Sequence, residues 1–228
     1  MRKITIIPAR SGSKGLKDKN ILDLGGIPMF AWSIIHAKFY SKDNDQIIVS
    51  SDSQKYLEIA EKYGAIPHLR SKNLAEDKTK TEPVMKDVTD HYASDENDLI
   101  VLLQPTSPIR KKETINKIFK CFKNKNVDSA LTITKFHSFI WDKESEFVTP
   151  QSDDRPRRQE INGSYLETGS IYATKYKLFN KNNNRVSGNI KGVEVSFEEF
   201  LEVDTKEEFN IVESYLNTYL KEWDNLLP

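Results

Sequence analysis

The feature that most constrains this chain is the alternation of short apolar runs with longer helical patterns. "KITIIP" (3–8), "QIIVSS" (46–51), "AIPHL" (65–69), "DLIVLLQ" (98–104) and "VDSALTIT" (127–134) read as strands. Between the first four lie "PMFAWSIIHAKFY", "SQKYLEIAEKYG" and "TEPVMKDVTDHYA", and a further helix follows the turn "QPTSPIR". Pro28 stands where a first helical turn tolerates proline, and Gly64 stands where helices commonly stop. Strands that recur with helices between them predict a largely parallel sheet covered on both faces. The pattern resumes late in the chain with "SIYAT" (170–174), "VEVSF" (193–197) and "FLEVD" (200–204), all read as strands. A terminal helix follows, and Thr205 and Glu208 have capping-box spacing at its start.

The stretch from about residue 137 to 169 breaks this rhythm. It is charged and rich in turn formers, and it predicts a hairpin or arm inserted in a single domain spanning residues 1–228. Lysine and arginine number 34, as do aspartate and glutamate, so no global field points to nucleic acid or an acidic membrane. No apolar run approaches the ~20 residues a spanning helix needs, and the start lacks a secretory pattern. The single cysteine, Cys121, excludes an intrachain disulfide and suits a reducing, cytoplasmic setting. The four histidines, His36, His68, His91 and His137, show no metal-ligand spacing.

Function concentrates at the predicted C-terminal strand ends, where open parallel sheets collect ligands. After the first strand comes R-S-G-S-K-G-x-x-x-K-N, which fits neither the P-loop nor the dinucleotide fingerprint. Gly12 and Gly15 let backbone amides turn toward an anion, and Arg10, Lys14 and Lys19 add the charge a polyphosphate needs. The loop is read as a nucleoside triphosphate site, the alternative being a solvated turn. The amide of Gln104, at the end of the fourth strand, can both donate to and accept from sugar hydroxyls. Glu202 and Asp204, two apart in an extended run, share a face and are the metal candidates. Arg155, Arg157 and Arg158 offer carboxylate recognition, with Asp153, Asp154 and Glu160 beside them.

"IIPARSGSKGLKDKNI", "LLQPTSPIR" and "EVDTKEEF" together resemble the acylneuraminate cytidylyltransferase family, over Lys3 to about Phe209. The resemblance implies a Rossmann-like α/β nucleotidyltransferase fold with a small dimerisation arm, and hence a homodimer. It implies coupling of CTP to a nine-carbon 2-keto sugar acid, with pyrophosphate released and magnesium, or manganese in its place, assisting. Arg10, Lys14 and Lys19 then hold the triphosphate as catalytic cations, with Ser13 and Asn20 in the nucleotide site. Arg70 and Ala75 fall in the segment that selects cytosine. Gln104, Thr106, Ser107, Arg158, Gln159 and Tyr172 fall to the acceptor, and Asp204 with Glu202 to the metal. Two departures stand out: Glu202 replaces the family's usual aspartate, and Thr168 replaces an asparagine, which leaves the sugar undetermined. Alternatives are a cytidylyltransferase for an acid of the 3-deoxy-octulosonate type, a glycosyltransferase, and a non-catalytic nucleotide-binding relative.

Overall fold

The structure, a computed structural model of the chain, describes residues 1–13, 15–136, 138–141, 143–144, 147–149, 157, 160 and 164–227. The strands are β1 (Lys3–Pro8), β2 (Gln46–Ser51), β3 (Ile66–Leu69), β4 (Leu99–Leu103), β5 (Ser129–Phe136), β6 (Ile140–Trp141), β7 (Phe147–Thr149), β8 (Ser164–Lys175) and β9 (Ile190–Glu194). The helices are α1 (Met29–Tyr40), α2 (Gln54–Lys62), α3 (Thr81–Tyr92), α4 (Lys112–Cys121), α5 (Tyr176–Asn182) and α6 (Lys206–Trp223). Seven strands form one sheet in the order β3-β2-β1-β4-β8-β5-β9, in which β8 alone runs antiparallel to its neighbours.

Strand alternation sorts the core into two layers. Ile7, Val49, Val101, Leu103 and Ala173 face one side, which α1, α2, α4 and α6 cover. Ile4, Ile6, Ile48, Ile100 and Leu102 face the other, under Met85 and Val88 of α3 and Phe179 of α5. Every residue of α1 from Met29 to Ala37 is buried, as expected of a helix that is apolar almost all round. Its outer side is closed by Trp223, whose ring lies 4.5 Å from that of His36. Gly64 follows α2 at φ +78°, a conformation that favours glycine, and Thr205 with Glu208 forms the expected capping box of α6.

Three expected elements differ. "SIYAT" is the end of a twelve-residue strand, β8, which begins inside the stretch read as an insertion. "VEVSF" shifts back, so that β9 ends at Glu194. "FLEVD" is no strand: Phe197–Phe200 is a 3-10 turn and residues 201–203 have no regular secondary structure. The turn winds there because Glu199 is drawn inward, accepting from the Lys111 amide and the Thr114 hydroxyl at 3.0 Å each, which caps the start of α4. In the irregular segment β6 and β7 pair antiparallel as a separate two-stranded sheet. Among the described residues no helix is long and apolar enough to cross a membrane.

Candidate active site

β1 and β4 are adjacent, but their connections leave in opposite directions, toward β2 on one side and toward β5, beyond β8, on the other. This is the switch point at which open α/β sheets form a crevice. A cavity of about 550 Å³ occupies it, lined by Pro8, Arg10, Ser13, Gly15, Lys19 and Asn20 from the first loop. Gln104, Pro105 and Thr106 line it after β4, and Asp204 lines it ahead of α6.

The loop is shaped by local geometry. Gly12 takes φ +70° with open space where a side chain would point, and Asp18 is also left-handed at +52°. Gly15 lies flat against the chain ahead of α6: a Cβ there would stand 2.6 Å from the Asp204 carbonyl oxygen. Asn20 is buried and donates through Nδ2 to the Arg10 carbonyl at 3.0 Å, while its Oδ1 has no partner. The Arg10 guanidinium pairs with Asp77 at 2.8 Å, and Ser11 donates its amide and hydroxyl to Asp52. Burial alone would raise the Asp52 carboxyl; the two Ser11 bonds, a backbone bond of its own and the Arg70 charge together hold the group below the usual carboxylate range.

One wall comes from β3 and the segment joining it to α3. Arg70, only 5% exposed, donates to the Ser50 carbonyl at 2.8 Å, and its Nε has no partner. Burial, reinforced by the Arg10 charge, lowers the guanidinium to about 10, with Asp52 opposing. It therefore stays cationic at neutral pH. Leu74, Thr81 and Val84 complete this side.

The opposite wall rests on Arg110, the arginine of "QPTSPIR", which is 1% exposed. It donates to the carbonyls of Gln104 (2.7 Å) and Ser170 (3.0 Å), fastening the end of β4 to β8 beneath the cavity. Burial lowers it to about 9, still charged at neutral pH. Burial, together with the Arg110 charge, pushes His36 well below the usual imidazole range, so the neutral ring accepts from Arg110 through Nδ1 at 3.3 Å.

The segment Glu202–Asp204 closes the ring. The Val203 amide donates to the Thr106 carbonyl at 2.8 Å, and Lys19 donates to the Val203 carbonyl at 2.9 Å and pairs with Asp204. The Glu202 carboxylate lies beside Gly169, where a Cβ would stand 2.1 Å from its Oε1. Burial raises the Glu202 carboxyl and the Asp204 charge adds to it, against Lys19 and the Ser107 hydroxyl. The two carboxylates are the hard oxygen donors magnesium prefers, and the Asp204 charge adds to burial in raising Glu202, so the donor chemistry fits a divalent ion.

Arg10, Ser13, Lys19, Asn20, Arg70, Gln104, Thr106 and Asp204 thus converge on one cavity. Ala75 lies in an adjoining groove of about 570 Å³ with Ser11, Gly12 and Asp52. Ser107 is fully buried behind the turn. Tyr172 is a correction: strand alternation turns its ring into the layer under α3 and α5, where its hydroxyl bonds Glu167 and Arg185 stacks on it at 4.6 Å. Thr168 is likewise buried, its hydroxyl 2.6 Å from that of Thr132. Lys14, Arg155, Arg158 and Gln159 lie outside the described residues. Sequence reasoning missed Arg110 and Gly169, though Arg110 ends the turn "QPTSPIR" and Gly169 immediately precedes "SIYAT". It also missed a grouping of histidines: His68, Asp87 and His91 each offer a ligand atom, all within 4.8 Å of one another.

A family model described as Cytidylyltransferase matches residues 4–222. N-acylneuraminate cytidylyltransferase of Streptococcus agalactiae serotype III is 31% identical over 218 positions, covering 92% of this chain and 52% of the relative. The chain therefore spans about half the length of the first of its curated relatives. The CMP-N,N'-diacetyllegionaminic acid synthase of Legionella pneumophila is 34% identical, covering 95% of this chain and 97% of the relative. A solved CMP:2-keto-3-deoxy-manno-octonic acid synthetase complexed with CTP superposes with a TM-score of 0.65 at 16% identity, over 96% of this chain and 99% of that one, which speaks to the fold. The chain belongs to the cytidylyltransferase family.

Proposed function

We propose that this protein transfers the cytidylyl group of CTP to a nine-carbon 2-keto sugar acid of the sialic acid type, releasing pyrophosphate. The observation that carries this reading is the single cavity in which the glycine-cation loop, the Gln104–Thr106 turn and Asp204 meet. Triphosphate and acceptor would then lie side by side, which is what a direct displacement needs. The named relatives that act on N-acylneuraminate and diacetyllegionaminic acid support the choice of acceptor class.

In this reading the phosphates lie along Gly12–Gly15, held by Arg10, Lys19 and Lys14. Asn20 and the wall of Arg70 and Leu74 receive the nucleoside: the unpartnered Asn20 Oδ1 and Arg70 Nε are buried polar atoms that a ligand would satisfy. Gln104, fixed from below by Arg110, orients the sugar acid. Its anomeric hydroxyl attacks the α-phosphorus, the bond to the oxygen bridging to the β-phosphate breaks to release pyrophosphate, and the hydroxyl proton passes to solvent. The cations neutralise charge that grows on pyrophosphate, so the protein contributes placement and electrostatics. Asp204, with Glu202 behind it, would hold magnesium, which when bound supplies further neutralisation of the phosphates. Exposed Ile140 and Trp141 on the small hairpin support its use in pairing two copies of the chain.

Pyrophosphate release measured over a panel of nucleotides and acceptors tests this. Rapid, magnesium-dependent release with CTP and a nine-carbon 2-keto acid is expected. Preference for UTP, or for an eight-carbon acid, would overturn it.

A further inference from the structure

β3 and α3, which form one wall of the cavity, carry a second polar constellation, near enough to Arg70 for the Asp87 charge to act on it. His68 lies on β3, two residues before Arg70, and Asp87 and His91 lie one turn apart on α3. His68 Nε2 is 2.7 Å from Asp87 Oδ2. The His91 ring turns back along its own helix, with Nδ1 2.7 Å from the Asp87 carbonyl oxygen. Since that oxygen can only accept, Nδ1 carries the proton and Nε2 keeps its lone pair. The His68 and His91 ring centroids are 5.0 Å apart. One ligand atom from each of the three residues lies within 4.8 Å of the others, with His68 buried and His91 open to solvent.

We propose that His68, Asp87 and His91 form a binding site for one divalent transition-metal ion, zinc above all. Two imidazoles and a carboxylate match the donor set zinc favours, at bond lengths of about 2.0–2.2 Å. His91 is open to solvent, which gives the ion its entry path. Imidazole donors select against magnesium, so this site is chemically separate from the oxygen donors of Asp204 and Glu202. The ion would bolt β3 to α3. Both reach the cavity, through Arg70 from one and Thr81 and Val84 from the other, so occupancy would stiffen that wall.

The test uses the tag-free chain of 228 residues, stripped with chelator and titrated with zinc chloride in calorimetry, then with cobalt chloride for visible absorption. One equivalent of zinc is expected, with a cobalt band and a rise in melting midpoint. All three should be lost in His91→Ala, which removes an exposed side chain and leaves the core intact. Asp87→Asn keeps a hydrogen bond to His68 and should also lose the metal. Asp204→Asn and Cys121→Ser should retain it. Equal zinc binding by the chain and His91→Ala, or no binding by the chain while it remains folded, would overturn the proposal and leave His68–Asp87 as a hydrogen-bonded tie. Neither result bears on CTP turnover in magnesium.

Discussion

Lys19 and Asp204 are 185 residues apart in sequence, yet the Lys19 ammonium pairs with the Asp204 carboxylate while donating to the Val203 carbonyl at 2.9 Å. One side chain thus joins the loop after the first strand to the segment ahead of the last helix. Lys19→Met removes that join and one cation of the proposed phosphate site. Turnover should fall by about 10²-fold or more. The Asp204 side chain is 67% exposed, so the pair itself should contribute no more than about 1 kcal/mol of stability. Steady-state kinetics beside a thermal melt checks both; a large fall in melting midpoint would recast Lys19 as structural.

Gly169 faces Glu202 at φ +74° with no room for a methyl group. Gly169→Ala should destabilise the fold by about 1–3 kcal/mol from backbone strain, with the clash against Glu202 added. Pairing it with Glu202→Ala removes the clash and leaves the strain, so the double variant should recover part of the loss. Denaturant unfolding of the three variants measures this, and no recovery would mean that the contact does not matter.

Arg110 carries no substrate in this account; it positions Gln104. Arg110→Met strips donors from the Gln104 and Ser170 carbonyls, at about 1–3 kcal/mol for each group left unsatisfied. KM for the sugar acid should rise more than KM for CTP. Arg110→Lys should restore neither, because an ammonium cannot reproduce the fork that reaches both carbonyls. Full rescue by lysine would show that charge alone suffices.

The raised Glu202 carboxyl gives a signed pH prediction. The folded state holds this proton more tightly than the unfolded chain, so stability from this group falls as pH rises through the folded-state value, and the penalty is complete above it. Glu202→Gln should therefore melt higher than the parent at neutral pH. The difference should shrink on acidification and vanish below the ordinary glutamate value of about 4.3. A variant that melts lower at neutral pH would show that the charged form is stabilising.

Much of the architecture was legible in the residues themselves. The purely apolar β4 and the glycine-cation loop after β1 announce a parallel sheet with a ligand at its strand ends, because sheet burial and anion binding each demand a particular composition. β8 was hidden for the opposite reason. Its first half, "SYLETG", is mostly polar and only Thr168 in it is buried, so only "SIYAT" looked like a strand. Residues 197–204 misled because their apolar side chains serve a turn that buries Glu199, a contact with α4 that no local pattern encodes. Arg110 was passed over, since its burial depends on the Ser170 carbonyl, 60 residues away in sequence. The His68–Asp87–His91 grouping was likewise invisible, because only its i,i+4 half lies within one element.

The account rests on where CTP binds, and a crystal structure of the chain with CTP tests that most directly. The triphosphate should follow Gly12–Gly15 against Lys19, with Arg10 released from Asp77 onto phosphate and the cytosine beside Arg70 and Leu74. A nucleotide bound elsewhere, with the 2.8 Å Arg10–Asp77 pair kept, would contradict it.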